Sequence, residues 1–196
     1  MITAIILAAG ESTRMGRPKM LLPWGDKTVL SHVVTIFREA GLEDIIVVTG
    51  GAREQVESAL SPFKAKTIFN KDYAQGEMLS SIQCGIGALS HQTQAVLIGL
   101  GDQPQVRERS VQMVCKAYRE NRSNIVVPSF QMRRGHPWLV ARPLWKALLE
   151  MESPLSPRDF LNANYKQIHY LNIDDPGILA DLDTPKDYQK WRPRSS

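Results

Sequence analysis

The sequence predicts an α/β protein, a single three-layer α/β/α domain built on a mostly parallel sheet. Two patterns carry that prediction. Short apolar runs rich in β-branched residues recur along the chain, and stretches with apolar residues at helical spacing lie between them. Strands that alternate with amphipathic helices imply βαβ units and a sheet covered on both faces.

The first run, Ile2–Ala8, stops abruptly at Ala9-Gly10. Leu30, Val33, Val34 and Phe37 then share one helical face, with Gly41 placed as a C-terminal cap. Runs at Asp44–Thr49 and Lys66–Phe69 follow. Leu79, Ile82, Ile86 and Leu89 form a looser helical stripe before the fourth strand, Ala95–Leu100. Val111, Val114, Cys115 and Tyr118 repeat the helical spacing ahead of a strand at Asn124–Pro128. Leu144, Ala147, Leu148 and Met151 predict another helix, Pro154 and Pro157 punctuate a loop, and Gln167–Ile173 is the last strand. Thr184 and Pro185 have the chemistry of an N-cap and a first helical residue. Residues 1–191 are expected to form one domain and 192–196 a frayed tail.

A chain of 196 residues suffices for one core, burying roughly 70% of the surface exposed when unfolded. The net charge of +4 is mild, and no basic patch interleaved with aromatics suggests nucleic acid. No apolar run approaches the ~20 residues of a membrane span. Residues 2–9 lack the basic lead-in of a signal peptide. Cys84 and Cys115 have no companion at metal-ligand spacing, which suits a reducing, cytoplasmic setting. The seven methionines are expected as core filler.

In open α/β sheets ligands bind beyond the carboxyl ends of the strands, so the residues that follow each strand matter most. After the first come Gly10 and Gly16, which let backbone N–H groups approach an anion, with Arg14, Arg17 and Lys19 nearby. The spacing is neither a Walker A loop nor a dinucleotide fingerprint. After the fourth comes Gly101-Asp102-Gln103-Pro104, where Asp102 either holds Mg2+ or caps a helix starting near Val106. If Ala180–Asp183 runs extended, Asp181 and Asp183 point to one side.

Leu7-Ala8-Ala9-Gly10, followed by Arg14-Met15-Gly16 and Lys19, resembles the opening signature of the molybdenum-cofactor nucleotidyltransferases. These are a branch of the glycosyltransferase-A-like nucleotidyltransferases, whose fold is nucleotide-diphospho-sugar-transferase-like. Gly101-Asp102-Gln103-Pro104 resembles that family's metal-binding turn. Arg134-Gly135-His136-Pro137 and Asp181-Leu182-Asp183-Thr184-Pro185 match two further motifs. Leu-Ala-Ala-Gly is similar to the cytidylyltransferases, whereas guanylyltransferase relatives carry Leu-Ala-Gly-Gly. Two stretches depart from the family pattern, Gly76 to Ser81 and Ser153 to Arg158, both where the acceptor is expected.

The resemblance implies transfer of CMP from CTP, preferred over GTP, to a molybdopterin-type phosphate with release of pyrophosphate. It implies Arg14, Lys19 and Asp102 as catalytic residues. Leu7, Ala8, Ala9, Gly10, Arg14, Gly16, Lys19, Ser80 and Ser81 would bind the nucleotide. Asp102, with Asp181 or Asp183, would hold Mg2+. Gly135, His136 and Pro137 would face the acceptor, and a molybdoenzyme or its chaperone is the implied protein partner. A sugar phosphate as acceptor and a non-catalytic nucleotide binder are the alternatives.

Overall fold

The computed structural model describes residues 1–12, 15–63, 65–75 and 77–193. Arg14 and Gly76, both singled out above, lie outside the described residues, as does the tail from 194. In chain order the strands are β1 (Ile2–Ala8), β2 (Pro23–Trp24), β3 (Lys27–Thr28), β4 (Ile45–Thr49), β5 (Lys66–Phe69), β6 (Ala95–Leu100), β7 (Ile125–Phe130), β8 (Arg133–Arg134), β9 (Trp138–Ala141) and β10 (Ile168–Asn172). The helices are α1 (Val29–Glu39), α2 (Arg53–Leu60), α3 (Glu77–Gly87), α4 (Glu108–Asn121), α5 (Trp145–Leu149), α6 (Pro157–Ala163) and α7 (Pro185–Trp191).

The main sheet runs β10-β7-β9-β6-β1-β4-β5, with β8 paired to β7. β1, β4, β5 and β6 are mutually parallel and β10 is parallel to β7, whereas β9 runs against both β6 and β7. The mostly parallel sheet expected from sequence is therefore correct, with β9 reversed within it and the two-residue β8 reversed against β7. Trp138–Ala141 escaped notice because four residues after a Gly-His-Pro turn are too few to show a period.

Alternation along the strands sorts the core onto two faces. Ala4, Ile6 and Ala8 pack beneath α1, α2 and α4, against Leu30, Val34, Phe37, Leu60, Val111 and Val114. Ile5, Leu7 and Ala9 face the other way, toward Leu79, Ile82, Leu148 and Phe160 of α3, α5 and α6. The molecule is thus a three-layer α/β/α sandwich. The two unforeseen helices have physical reasons. α2 buries only Val56 and Leu60, too few positions to draw a stripe. Pro157 starts α6 behind a Ser156 capping box, where a loop was expected.

Register decides where the chemistry goes. Leu7 pairs with Val48 on one side and Leu100 on the other, so β1, β4 and β6 end level with one another. The Gly101 N–H donates to the Leu7 carbonyl at 2.9 Å, tying the turn after β6 to the end of β1. The Leu182 N–H donates to the Asp102 carbonyl at 3.1 Å, which draws in the C-terminal segment from the far end of the chain. Thr184 caps α7 with Asp187 in a reciprocal capping box, as its sequence chemistry predicts. Trp24 packs against Tyr188, whose hydroxyl donates to the Pro23 carbonyl at 2.6 Å.

Asp175 anchors the approach to that segment. It is 2% exposed and accepts from Ser110 Oγ at 2.7 Å, the Gly177 N–H at 2.9 Å and the Arg107 N–H at 3.2 Å. The start of α4 is therefore satisfied by Asp175, and Asp102 is not its cap. Removing the carboxylate strands three donors, two of them backbone. Asp175→Ala is expected to cost about 1–3 kcal/mol, read as a lowered urea midpoint; an unchanged midpoint would contradict this anchoring role.

Candidate active site

The end of β1, the turn after β6 and the 181–183 segment meet around one cavity of about 340 Å3. Its walls include Leu7, Ala9, Gly10, Lys19, Asp102, Asp181 and Asp183, with Ser81 at the start of the opposite helix. Lys19 stands at its centre. The Lys19 Nζ lies 2.5 Å from Asp102 Oδ2 and 3.1 Å from Asp183 Oδ1, and its side chain is only 12% exposed. Its backbone N–H donates to Ser12 Oγ at 3.1 Å.

The electrostatics follow from this packing. Burial alone would lower the Lys19 pKa, but Asp102 and Asp183 outweigh it and hold the ammonium above its ordinary value. Asp181 is pushed the other way for a carboxylate. Burial, then the Asp102 charge, raise its pKa against the pull of a hydrogen bond from Gln103 Nε2 at 2.7 Å. Among the described lining residues, three carboxylates stand against one ammonium. An all-oxygen donor set of that kind suits a hard divalent cation. Among the described residues no three or more His, Cys, Asp and Glu converge as a ready-made cage.

A second cavity, about 790 Å3, lies alongside and shares Met78 with the first. Arg133, Arg134 and Arg158 line it with Gly135, His136, Trp138 and Asn162, and among the described residues no carboxylate does. Arg134 is held in place, donating to Asn162 Oδ1 at 2.7 Å and to the Tyr170 hydroxyl at 2.6 and 3.0 Å. Gly135 is required by crowding, because a Cβ there would sit 2.6 Å from the Ile178 carbonyl. That same carbonyl accepts the His136 N–H at 2.9 Å.

Of the residues singled out in the sequence, Leu7, Ala9, Gly10, Lys19, Ser81, Asp102, Asp181 and Asp183 share the first cavity, and Gly135 and His136 the second. Ala8, Gly16, Ser80 and Pro137 are not among the lining residues. Ala8 points into the core on the opposite face of β1, so only its backbone is near the site. Asp181 and Asp183 do point to one side, with Leu182 fully buried between them. Met132, 96% exposed, and Met78 are cavity rim and not core filler. Sequence inspection missed Asn70, which is 3% exposed and donates from Nδ2 to the Ser80 and Ser81 hydroxyls at 2.9 and 3.1 Å. It directly follows β5, so the strand-end rule that picked out Gly10 and Asp102 would have found it. Tyr73 carried no such signal; Gln103 stood in the turn after β6, but nothing in the sequence showed its reach to Asp181.

Residues 4–168 match the MobA-like NTP transferase domain. The chain belongs to that family. It is a nucleotidyltransferase. The transferase is 31% identical over 189 residues to the molybdenum cofactor cytidylyltransferase of Escherichia coli (strain K12), covering 95% of this chain and 93% of that protein. It is 28% identical over 192 residues to the nicotine blue oxidoreductase of Paenarthrobacter nicotinovorans, covering 93% and 92%. Among solved structures, Rv0371c from Mycobacterium tuberculosis H37Rv superposes with a TM-score of 0.86 at 27% identity over 96% of this chain and 95% of that one. Rv0371c in complex with manganese gives 0.80 at 26% identity over 96% of each chain. No described helix is long and apolar enough to cross a membrane.

His136 gives the transferase a testable pH signature. Burial depresses its pKa to about 4, so the folded protein keeps the imidazole neutral. Below its ordinary value of about 6.5 the unfolded chain takes up a proton that the native state refuses, so stability falls as the pH drops from there toward 4. In His136→Gln, the loss of unfolding free energy between pH 7 and pH 4.5 should be smaller than in the wild type. Equal losses in urea titrations would contradict a neutral, buried His136.

Proposed function

We propose that this transferase moves CMP from CTP to the phosphate of a molybdopterin-type acceptor, using Mg2+ and releasing pyrophosphate. Residues 1–191 would form its one domain. The observation that carries this is Lys19, held between Asp102 and Asp183 at the mouth of the backbone turn Ala9-Gly10, beside a larger cavity lined by three arginines.

A phosphate acceptor has a second pKa near 6 and is already a nucleophile at neutral pH. No general base is needed; the neutral His136 would serve as a hydrogen-bonding wall. The reaction demands neutralisation and alignment of phosphates. The glycine-opened backbone at Gly10 and the Lys19 ammonium supply donors for the triphosphate and the departing pyrophosphate. Asp102, with Asp181 or Asp183, would hold the divalent ion, whose chemistry is to neutralise phosphate charge as it develops. The manganese complex of Rv0371c supports the use of a divalent ion.

The Ala9 methyl narrows the cavity at the point where guanylyltransferase relatives carry glycine, which favours a pyrimidine base. The second cavity pairs Trp138, Leu161 and Met78 with Arg133, Arg134 and Arg158, a lining that suits a flat heterocycle bearing phosphate. The likeness to the Escherichia coli cytidylyltransferase supports the same acceptor. The two cysteines form no disulfide, which suits the cytoplasm.

Pyrophosphate release, measured with Mg2+, each NTP and either molybdopterin or sugar 1-phosphates, tests the substrates. Turnover should require CTP and molybdopterin; turnover with a sugar phosphate alone would overturn the acceptor, and a preference for GTP the base. Asp102→Ala should abolish turnover with an unchanged circular dichroism spectrum. Lys19→Ala should lower kcat by roughly 10²–10³-fold, as loss of one oxyanion donor does. Wild-type rates in either variant would remove that residue from the mechanism.

A further inference from the structure

Gln103 sits next to Asp102 in the chain and is 3% exposed. Its Nε2 donates to Asp181 Oδ1 at 2.7 Å, while its Oε1 is buried without a partner among the described residues. A side chain present only to fill space would not carry that orphaned acceptor. The cost of burying it roughly cancels the gain of one charge-assisted bond, so the amide adds little to fold stability. Its effect falls on Asp181. That carboxylate belongs to an exposed residue and is repelled by Asp102 and Asp183, so unaided it would turn toward water.

We propose that Gln103 is a positioning residue that holds Asp181 turned into the cavity beside Asp102, so that both carboxylates meet the divalent ion. Together Asp102 and Gln103 grip the 181–183 segment twice: the Asp102 carbonyl takes the Leu182 N–H, and the Gln103 carboxamide takes Asp181. Two consecutive residues of one turn thereby set the separation of two candidate ion ligands 79 positions apart in sequence (102 and 181). The inference rests on the metal-dependent transferase function proposed above.

The test titrates Mn2+ into the full chain with a non-hydrolysable CTP analogue, reading free ion by electron paramagnetic resonance. Wild type, Gln103→Met and Asp181→Ala are compared, each with its melting temperature measured without metal. Gln103→Met keeps the volume and removes the donor. It should melt close to the wild type and bind Mn2+ roughly tenfold more weakly, as loss of an outer-shell partner does. Its turnover should return at high Mn2+, which a folding defect would not allow. Should Gln103→Met fail to fold, Gln103→Asn, polar but too short to reach Asp181, is read the same way. Wild-type Mn2+ affinity in the Gln103 variant, with affinity lost in Asp181→Ala, would overturn the positioning role and leave the transferase function intact. Absence of Mn2+ binding by the wild type would overturn both.

Discussion

The site is organised by one shared cation. Lys19 is pinned between Asp102 and Asp183, and those three side chains come from the loop after the first strand, the turn after the sixth and the approach to the last helix. Carboxylates in that density repel one another, and the ammonium is what lets them stand together in a partly enclosed cavity. It also sets a donor and acceptors side by side in one cavity. Such an arrangement suits chemistry that is limited by phosphate charge more than by proton transfer.

The sheet's register converts sequence distance into proximity. Leu7, Val48 and Leu100 are level, so any residue placed just past a strand end arrives at the same edge. Two backbone hydrogen bonds, Gly101 to Leu7 and Leu182 to Asp102, then carry that edge from β1 through β6 to the C-terminal segment. Asp175 secures the far end of this chain of contacts from beneath. The larger cationic cavity is built on the reversed strand β9 and the hairpin strand β8, in the irregular half of the sheet.

What could be read in the sequence was whatever repeats or punctuates. The six long strands announced themselves by β-branched runs, and α1, α3 and α4 by their apolar stripes. The strand-end rule led to Gly10, Lys19 and Asp102, because special residue types stood where a buried run stopped. Short or partnerless elements stayed hidden: β9 has four residues and α2 two buried positions. Gln103, Tyr73 and the rim residue Met132 were illegible for a different reason. Their roles come from which distant segment they touch, and a single chain position says nothing about that. Asn70 could have been read, had the strand-end rule been applied to every strand.

The central claim is that Lys19 and an Asp102-bound divalent ion grip one triphosphate. A crystal structure of the protein with a non-hydrolysable CTP analogue and Mn2+ tests it most directly. The account requires anomalous density for manganese against Asp102, with the Lys19 ammonium on an oxygen of the same nucleotide's phosphates. Manganese or triphosphate bound away from the Ala9-Gly10 turn, or Lys19 and Asp102 serving different ligands, would contradict it.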